Sequence, residues 1–358
     1  MPPTLSPRTQ AAVALLQRLI AVPSPSREES GAADVFEQFL RAQGLQPRRE
    51  GNNVWVSAAQ EGSERPVLLL NAHLDTVKPV AGWTRDPFTP AIEGDRLYGL
   101  GANDCGGGLV SLTAAALPFL RGERTGARWR IVLLASAEEE VSGKDGIERA
   151  LPLIPPPAAA IVGEPTGMQP ATSEKGLMVI DAVARGRAGH AARAEGDNAI
   201  YHAIRDIDLL AHHSHELFPD ISPLLGAVRA SVTIIQAGTQ HNVVPDACRF
   251  TIDVRSTDRY DNETILALLR RRLTSELTPR STRLQPSFIS PDHPLVRACV
   301  AMGMVPFGSP TLSDQALMRF PSIKLGPGQS ERSHTADEFV LLSEIDSAIG
   351  IYERLIAG

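Results

Sequence analysis

The segment PVLLLNAHLDTV, residues 66–77, carries the reading of the fold. Val67 to Leu70 run without polar alternation and end at a histidine and an aspartate, the pattern of a strand buried on both faces whose carboxyl end meets polar groups. WRIVLLASA (129–137) and AAAIVGEPTG (158–167) repeat that pattern, and VWVSA (54–58) is a shorter version of it. Helical segments surround these runs: the N-terminal stretch, the apolar LVSLTAAALPFL (109–120), and SREESGAADVFEQFLRAQG (26–44). In the last, Ala33, Val35, Phe36, Phe39 and Leu40 recur at helical spacing and Gly44 is the stop. Strands alternating with helices predict an α/β layer fold, a mixed, mainly parallel sheet flanked by helices.

From about Lys175 the texture changes. LMVIDAVARG (177–186), VRASVTIIQAG (228–238) and CRFTIDVRS (248–256) alternate apolar and polar residues, as half-exposed antiparallel strands do. The helix NAIYHAIRDIDLLAHH (198–213) lies between them, so this stretch reads as a separate α+β unit. After STRLQPSFISPDH (281–293) the first texture resumes and closes with the helix LSEIDSAIGIYERLIAG (342–358). The chain is therefore expected to leave one domain and return to it, with residues 1–172 and 291–358 in the first and 173–290 in the insertion.

Composition narrows the partners. Lys and Arg number 35 against 41 Asp and Glu, a net charge of −6, which gives no electrostatic footprint for nucleic acid or a membrane surface. A small-molecule partner is expected. The first 26 residues lack the basic start and long apolar core of a signal peptide, and they read as the first helix of a cytoplasmic protein. Cys105, Cys248 and Cys299 are too dispersed for a CxxC pair, so a metal here would be held by histidine and carboxylates.

Such residues stand where the apolar runs end. His73 and Asp75 close the run at 67–70, Glu138, Glu139 and Glu140 follow IVLLAS, and Glu164 follows AAAIVG. Asp104 sits in the glycine-rich turn LYGLGANDCGGGL (97–109), and His334 in GPGQSERSHTADEF (326–339). Open α/β sheets place their ligand sites at the carboxyl ends of strands. The turn at 97–109 lacks the G-x-G-x-x-G order and a Lys-Ser/Thr ending, which disfavours a nucleotide phosphate there. A mixed nitrogen and oxygen set of this kind suits a pair of zinc ions, with cobalt or manganese as substitutes.

In their order along the chain, HLDT, GANDCGGG, AEEEVSG, GEPT, GRAGHAA, NVVPD and SHTADEF resemble the dizinc deacylases and peptidases. That family includes acetylornithine deacetylase, succinyl-diaminopimelate desuccinylase, aminoacylase and carboxypeptidase G. The resemblance runs from about residue 10 to the end. It implies that His73 and Glu164 hold one metal, that Glu140 and His334 hold the other, and that Asp104 bridges. It further implies Glu139 as general base, Asp75 as the group orienting His73, and His190 of GRAGHAA as an oxyanion donor. Lys175, Asn242 and Arg255 match positions that hold the substrate's carboxylate or carbonyl, and the inserted unit matches a lid through which homodimers form. Glu138 departs from the family's Asp, and the Pro usual after GRAGHAA is absent.

GWTRDPFTP (82–90), VGEPTGMQP (162–170), EKGLM (174–178) and SPTLSDQALM (309–318) look most like the acetylornithine branch, including relatives acting on N-succinylornithine. The expected reaction is removal of an N-acyl group from an amino acid in arginine biosynthesis. A dipeptidase or carboxypeptidase of the same family is the alternative, and a non-catalytic binding protein on the same fold the remote one.

Overall fold

The computed structural model describes residues 5–58, 64–124, 127–193 and 195–358. The chain packs into two compact units, Met1–Thr172 with Ile289–Phe307 and Ser313–Gly358, and Ser173–Phe288 with Gly308–Leu312. The return segment Gly308–Leu312, which sequence reading left with the first domain, groups with the second. Two contacts hold it there. The Lys175 N–H donates to Ser309 O at 3.2 Å, and Gly308 packs so closely that a Cβ would lie 2.4 Å from Leu224 O.

The first unit is built on strands ordered Arg48–Glu50, Asn53–Ser57, Arg130–Ser136, Val67–His73, Pro157–Val162 and Ser322–Lys324. Val67–His73 is central and pairs in parallel with Arg130–Ser136 on one side and Pro157–Val162 on the other. Ser322–Lys324 continues the parallel set, while Asn53–Ser57 joins antiparallel. The sheet is thus mixed and mainly parallel, as the apolar runs implied. Every residue from Val67 to His73 is buried, and Leu68, Leu69 and Leu70 have no exposed surface. Each such leucine stabilises the fold by roughly 2 kcal/mol relative to an exposed one.

The helix Gly107–Leu120 is buried almost throughout, packing against the sheet on one side and against the helices Pro7–Ile20 and Leu342–Ala357 on the other. Its two polar residues disturb nothing, because Ser111 and Thr113 return their hydroxyl hydrogens to Gly107 O and Leu109 O at 2.7 Å. Ser6 caps the first helix by accepting from Thr9 N at 3.2 Å. Ser30–Ala42 forms the second, with Gly44 beyond its end at φ 79°.

The second unit carries a four-stranded antiparallel sheet ordered Arg229–Ala237, Ala247–Arg255, Met178–Arg185 and Glu276–Pro279. Met178, Ile180, Ala182 and Ala184 alternate inward, where they meet Ala199, Ala203 and Leu210 of the helix Ala199–His212 and Ile265 and Leu269 of the helix Asn262–Arg272. The edge strand Arg229–Ala237 is exposed along most of its length, including Ile234 and Ile235.

Candidate metal centre

Three neighbouring parallel strands deliver the chemistry. His73 is the last residue of its strand, Glu139 and Glu140 follow the strand Arg130–Ser136 on one side of it, and Glu164 follows Pro157–Val162 on the other. All three strands point the same way, so residues far apart in sequence converge at one sheet edge. Asp104 arrives from the loop preceding the helix Gly107–Leu120, and His334 from the loop after the segment Ser330–Arg332.

Asp104 stands between the two histidines. Its Oδ1 lies 3.2 Å from His73 Nε2 and its Oδ2 3.6 Å from His334 Nε2. On the His73 side, Glu164 Oε1 lies 3.6 Å from Nε2; on the other, Glu140 is 3.0 Å from His334 Nε2. Donors bound tetrahedrally at about 2.1 Å stand roughly 3.4 Å apart, so these spacings fit two cation sites sharing one carboxylate. Glu139 Oε2 is 4.0 Å from His73 Nε2.

The rings and acids are held from behind. His73 Nδ1 donates to Asp75 O at 2.8 Å, which leaves the Nε2 lone pair facing Asp104 and Glu164. The Asp75 carboxylate is 3.5 Å from Nδ1 and accepts the N–H groups of Glu139 and Glu140 at 3.0 and 3.1 Å and the Ser26 hydroxyl at 2.7 Å. Asp75 therefore anchors the acidic turn as well as facing the ring. The three glutamates of that turn diverge: Glu139 faces His73, Glu140 faces His334, and Glu138, at φ 55°, turns toward Arg27.

Electrostatics press for a cation. Burial, reinforced by the Asp104 charge, pushes Glu164 up to about 8. Burial and Glu164 in turn raise Glu139 well above the usual carboxylate range. Burial alone would lower His73, but the Asp104 and Glu139 carboxylates beside it raise it well above 6.5. The bond to Glu140 holds His334 up at about 9. Glu164 Oε1 is buried with no hydrogen-bond donor, a costly state for a polar oxygen that a bound cation removes. Cys105 also lies within ligand reach of His73 and Glu164. Its Sγ accepts the His73 N–H at 3.1 Å, and burial pushes its thiol pKa far up, which keeps it protonated.

Two further buried acids stand behind the site. Asp314 accepts from Asn71 Nδ2 at 2.8 Å and Ser136 Oγ at 2.6 Å, behind the ends of two of the delivering strands. Glu338 accepts three backbone N–H groups of the Asp104 loop. The only sequence signal for either is its presence in a motif already singled out.

His190, Asn242, Lys175 and Arg255 belong to the second unit. His190 is exposed and pairs across a two-residue ladder with Val243, beside Asn242. Its Nδ1 accepts the Ala192 N–H at 3.1 Å, which leaves Nε2 as the protonated nitrogen of the neutral ring. Lys175 lies near Arg255 and near Arg229, the cross-strand partner of Arg255. Burial, then these two charges, lower the Lys175 pKa. Arg255 is also paired with Asp253 at 2.8 Å.

The sequence model of peptidase family M20/M25/M40 matches residues 69–358. The chain belongs to this family. An M20/M25/M40 member is a metal-dependent hydrolase of amide bonds, and this chain is one. Among similar proteins, a succinyl-diaminopimelate desuccinylase of Dinoroseobacter shibae is 30% identical over 378 residues, covering 96% of this chain and 98% of its own. Another of that name, from Cereibacter sphaeroides, is 29% identical over 377 residues, covering 96% and 97%. The aminopeptidase PepT of Bacillus cereus shares the fold, with a TM-score of 0.74 at 16% identity over 99% of this chain and 98% of that one. So does a dinuclear metal-binding M20 peptidase of Bacillus subtilis, with a TM-score of 0.70 at 16% identity over 98% of each chain. The two relatives are named for succinyl-diaminopimelate, so the acetylornithine and arginine-biosynthesis reading draws no support from them. Among the described residues of this M20/M25/M40 member, no helix is long and apolar enough to cross a membrane.

Proposed function

We propose that this protein is a two-metal deacylase that hydrolyses the amide of a small N-acyl diamino acid. One observation carries the reading: the Asp104 carboxylate is shared between His73 with Glu164 and His334 with Glu140, and Glu139 stands beside it without a histidine or cationic partner closer than 4.0 Å among the described residues. His73 and Glu164 would hold one divalent cation and Glu140 and His334 the other, with Asp104 shared between them. Zinc fits this donor set, and cobalt or manganese can substitute. When bound, such a pair lowers the pKa of water toward neutrality and polarises the scissile carbonyl.

The remaining chemistry belongs to side chains. Glu139 takes the proton from the attacking water and delivers it to the leaving nitrogen, a role that calls for a carboxyl with a raised pKa. Asp75 holds Glu139 and Glu140 in place through their backbone amides. His190 donates from Nε2 to the developing oxyanion. Lys175, Arg255 and Asn242 bind the substrate's carboxylate and carbonyl groups. The second unit also forms the dimer, because the exposed edge strand Arg229–Ala237 offers unpaired backbone and apolar Ile234 and Ile235 to a second copy.

Two substrate subclasses are favoured by different observations. The strings at 82–90 and 309–318 favour N-acetyl- or N-succinylornithine, and the names of the relatives favour N-succinyl-diaminopimelate. Amine release should be measured on all three, and on a dipeptide, with a chelator control. Chelator-sensitive turnover of an N-acyl diamino acid is the expected result, and turnover of the dipeptide alone sinks the deacylase reading. Glu139→Gln should keep its metal content while kcat falls by about 10²- to 10⁴-fold.

A further inference from the structure

The loop carrying Asp104 is an unusual piece of backbone to bury. Gly99 and Gly101 sit at φ 154° and 75°, and Ala102 and Asn103 are fully buried. Their amides precede the helix Gly107–Leu120 and cannot join its ladder. Buried N–H groups left without acceptors are costly, so something must gather them.

We propose that Glu338 is the positioning residue for Asp104, its buried carboxylate fixing the loop that sets Asp104 between His73 and His334. Glu338 is 2% exposed. Its Oε1 accepts from Asn103 N at 2.8 Å and Asp104 N at 3.0 Å, and its Oε2 from Gly101 N at 3.1 Å. Its own carbonyl accepts from Gly99 N at 3.0 Å. Glu338 stands four residues after His334, so one short segment holds both the histidine and the carboxylate facing it.

A second set of contacts runs between the same two loops. Asn103 Nδ2 donates to Gln329 O and Ser333 Oγ, both at 3.0 Å, and Asn103 Oδ1 accepts from Gln329 N at 3.0 Å. These bonds fix where the loops meet, and among the described residues only Glu338 takes the Asp104 amide itself. Groups that orient metal ligands from behind typically change metal affinity about 10- to 100-fold when removed.

The inference rests on the two-metal reading, and cobalt titration of metal-free protein, followed by its visible absorption, tests the two separately. Wild type should take up two equivalents; fewer than two overturns the two-metal reading and this inference with it. Glu338→Leu, which keeps bulk but offers no acceptor, should weaken cobalt binding at least about tenfold. Glu338→Gln, which restores one acceptor oxygen, should fall between. Asp206→Asn is the control, since Asp206 is another buried carboxylate accepting backbone N–H groups, from Thr274 and Ser275. It should lower Tm and leave the cobalt isotherm unchanged. Full wild-type binding with a Glu338→Leu isotherm within twofold of it overturns the role of Glu338. Should the leucine variant not fold, the glutamine isotherm decides by the same twofold criterion.

Discussion

Gly108→Ala should damage both the stability and the activity of this protein, although the residue carries no chemistry. Gly108 lies four residues after Asp104, and Gly163 immediately precedes Glu164. The two glycines touch, and a Cβ on Gly108 would sit 1.7 Å from Gly163 O and 2.6 Å from Gly163 C. Real Cβ atoms essentially never approach closer than 3.0 Å, and the atoms in the way are backbone, so the start of the helix and the turn at Gly163 must move apart by an ångström or more. Overpacking of this kind costs about 1–3 kcal/mol, and a backbone clash belongs at the upper end. At roughly 2–4 °C per kcal/mol for a domain of this size, Tm should drop by about 6–12 °C. The same movement separates Asp104 from Glu164, and a misplacement of about 1 Å can cost roughly 10²-fold in rate. Thermal unfolding and kcat on the best N-acyl substrate measure the two effects. Gly350→Ala is the paired control, because Gly350 lies inside the helix Leu342–Ala357 with nothing within 4 Å of a Cβ. It should stabilise by about 0.5–1 kcal/mol and leave kcat alone. A Gly108→Ala enzyme with wild-type Tm and kcat would refute the claim that this contact sets the spacing of the site.

Two further predictions concern groups outside the candidate ligands. Burial pushes Asp314 up to about 6, against the pull of Ser136 and Asn71. Its folded-state pKa thus lies above the ordinary 3.8, so its contribution to stability is present below about pH 4 and lost as pH rises through about 6. In chelated protein, Asp314→Asn should therefore gain on wild type between pH 4 and 7 by roughly 3 kcal/mol in unfolding free energy; a pH-independent difference in urea denaturation contradicts this. In sedimentation velocity, wild type should run as a dimer and Ile235→Lys as a monomer with its fold intact. A monomeric wild type, or a dimeric variant, removes the edge strand Arg229–Ala237 from the proposed interface.

Much of the first unit was legible in sequence because its strands are buried on both faces. Uninterrupted runs such as Val67–Leu70 and Ile131–Leu134 mark such strands without reference to neighbours, and the polar residues that follow them mark the sheet edge where ligands bind. His73, Asp104, Glu140, Glu164 and His334 were named for that reason together with the family resemblance, and the fold brings these five together. The second unit was legible through alternation, and the structure adds which residues face inward, Met178, Ile180, Ala182 and Ala184.

What the linear pattern does not contain is the direction of side chains in irregular backbone. Glu138, Glu139 and Glu140 are identical in the sequence, and they diverge because Asp75, some 64 residues away, takes the amides of the last two. The sequence around Glu338 and Asp314 says nothing of their partners, yet one gathers the amides of a loop about 235 positions distant and the other joins Asn71 to Ser136. The sequence by itself determined which residues end the strands, since burial dictates hydrophobicity residue by residue. Only the tertiary structure decided which way each carboxylate turns, Glu139 toward His73, Glu140 toward His334 and Glu338 onto the Asp104 loop, because those directions depend on hydrogen bonds between segments that meet only when the sheet and its loops close.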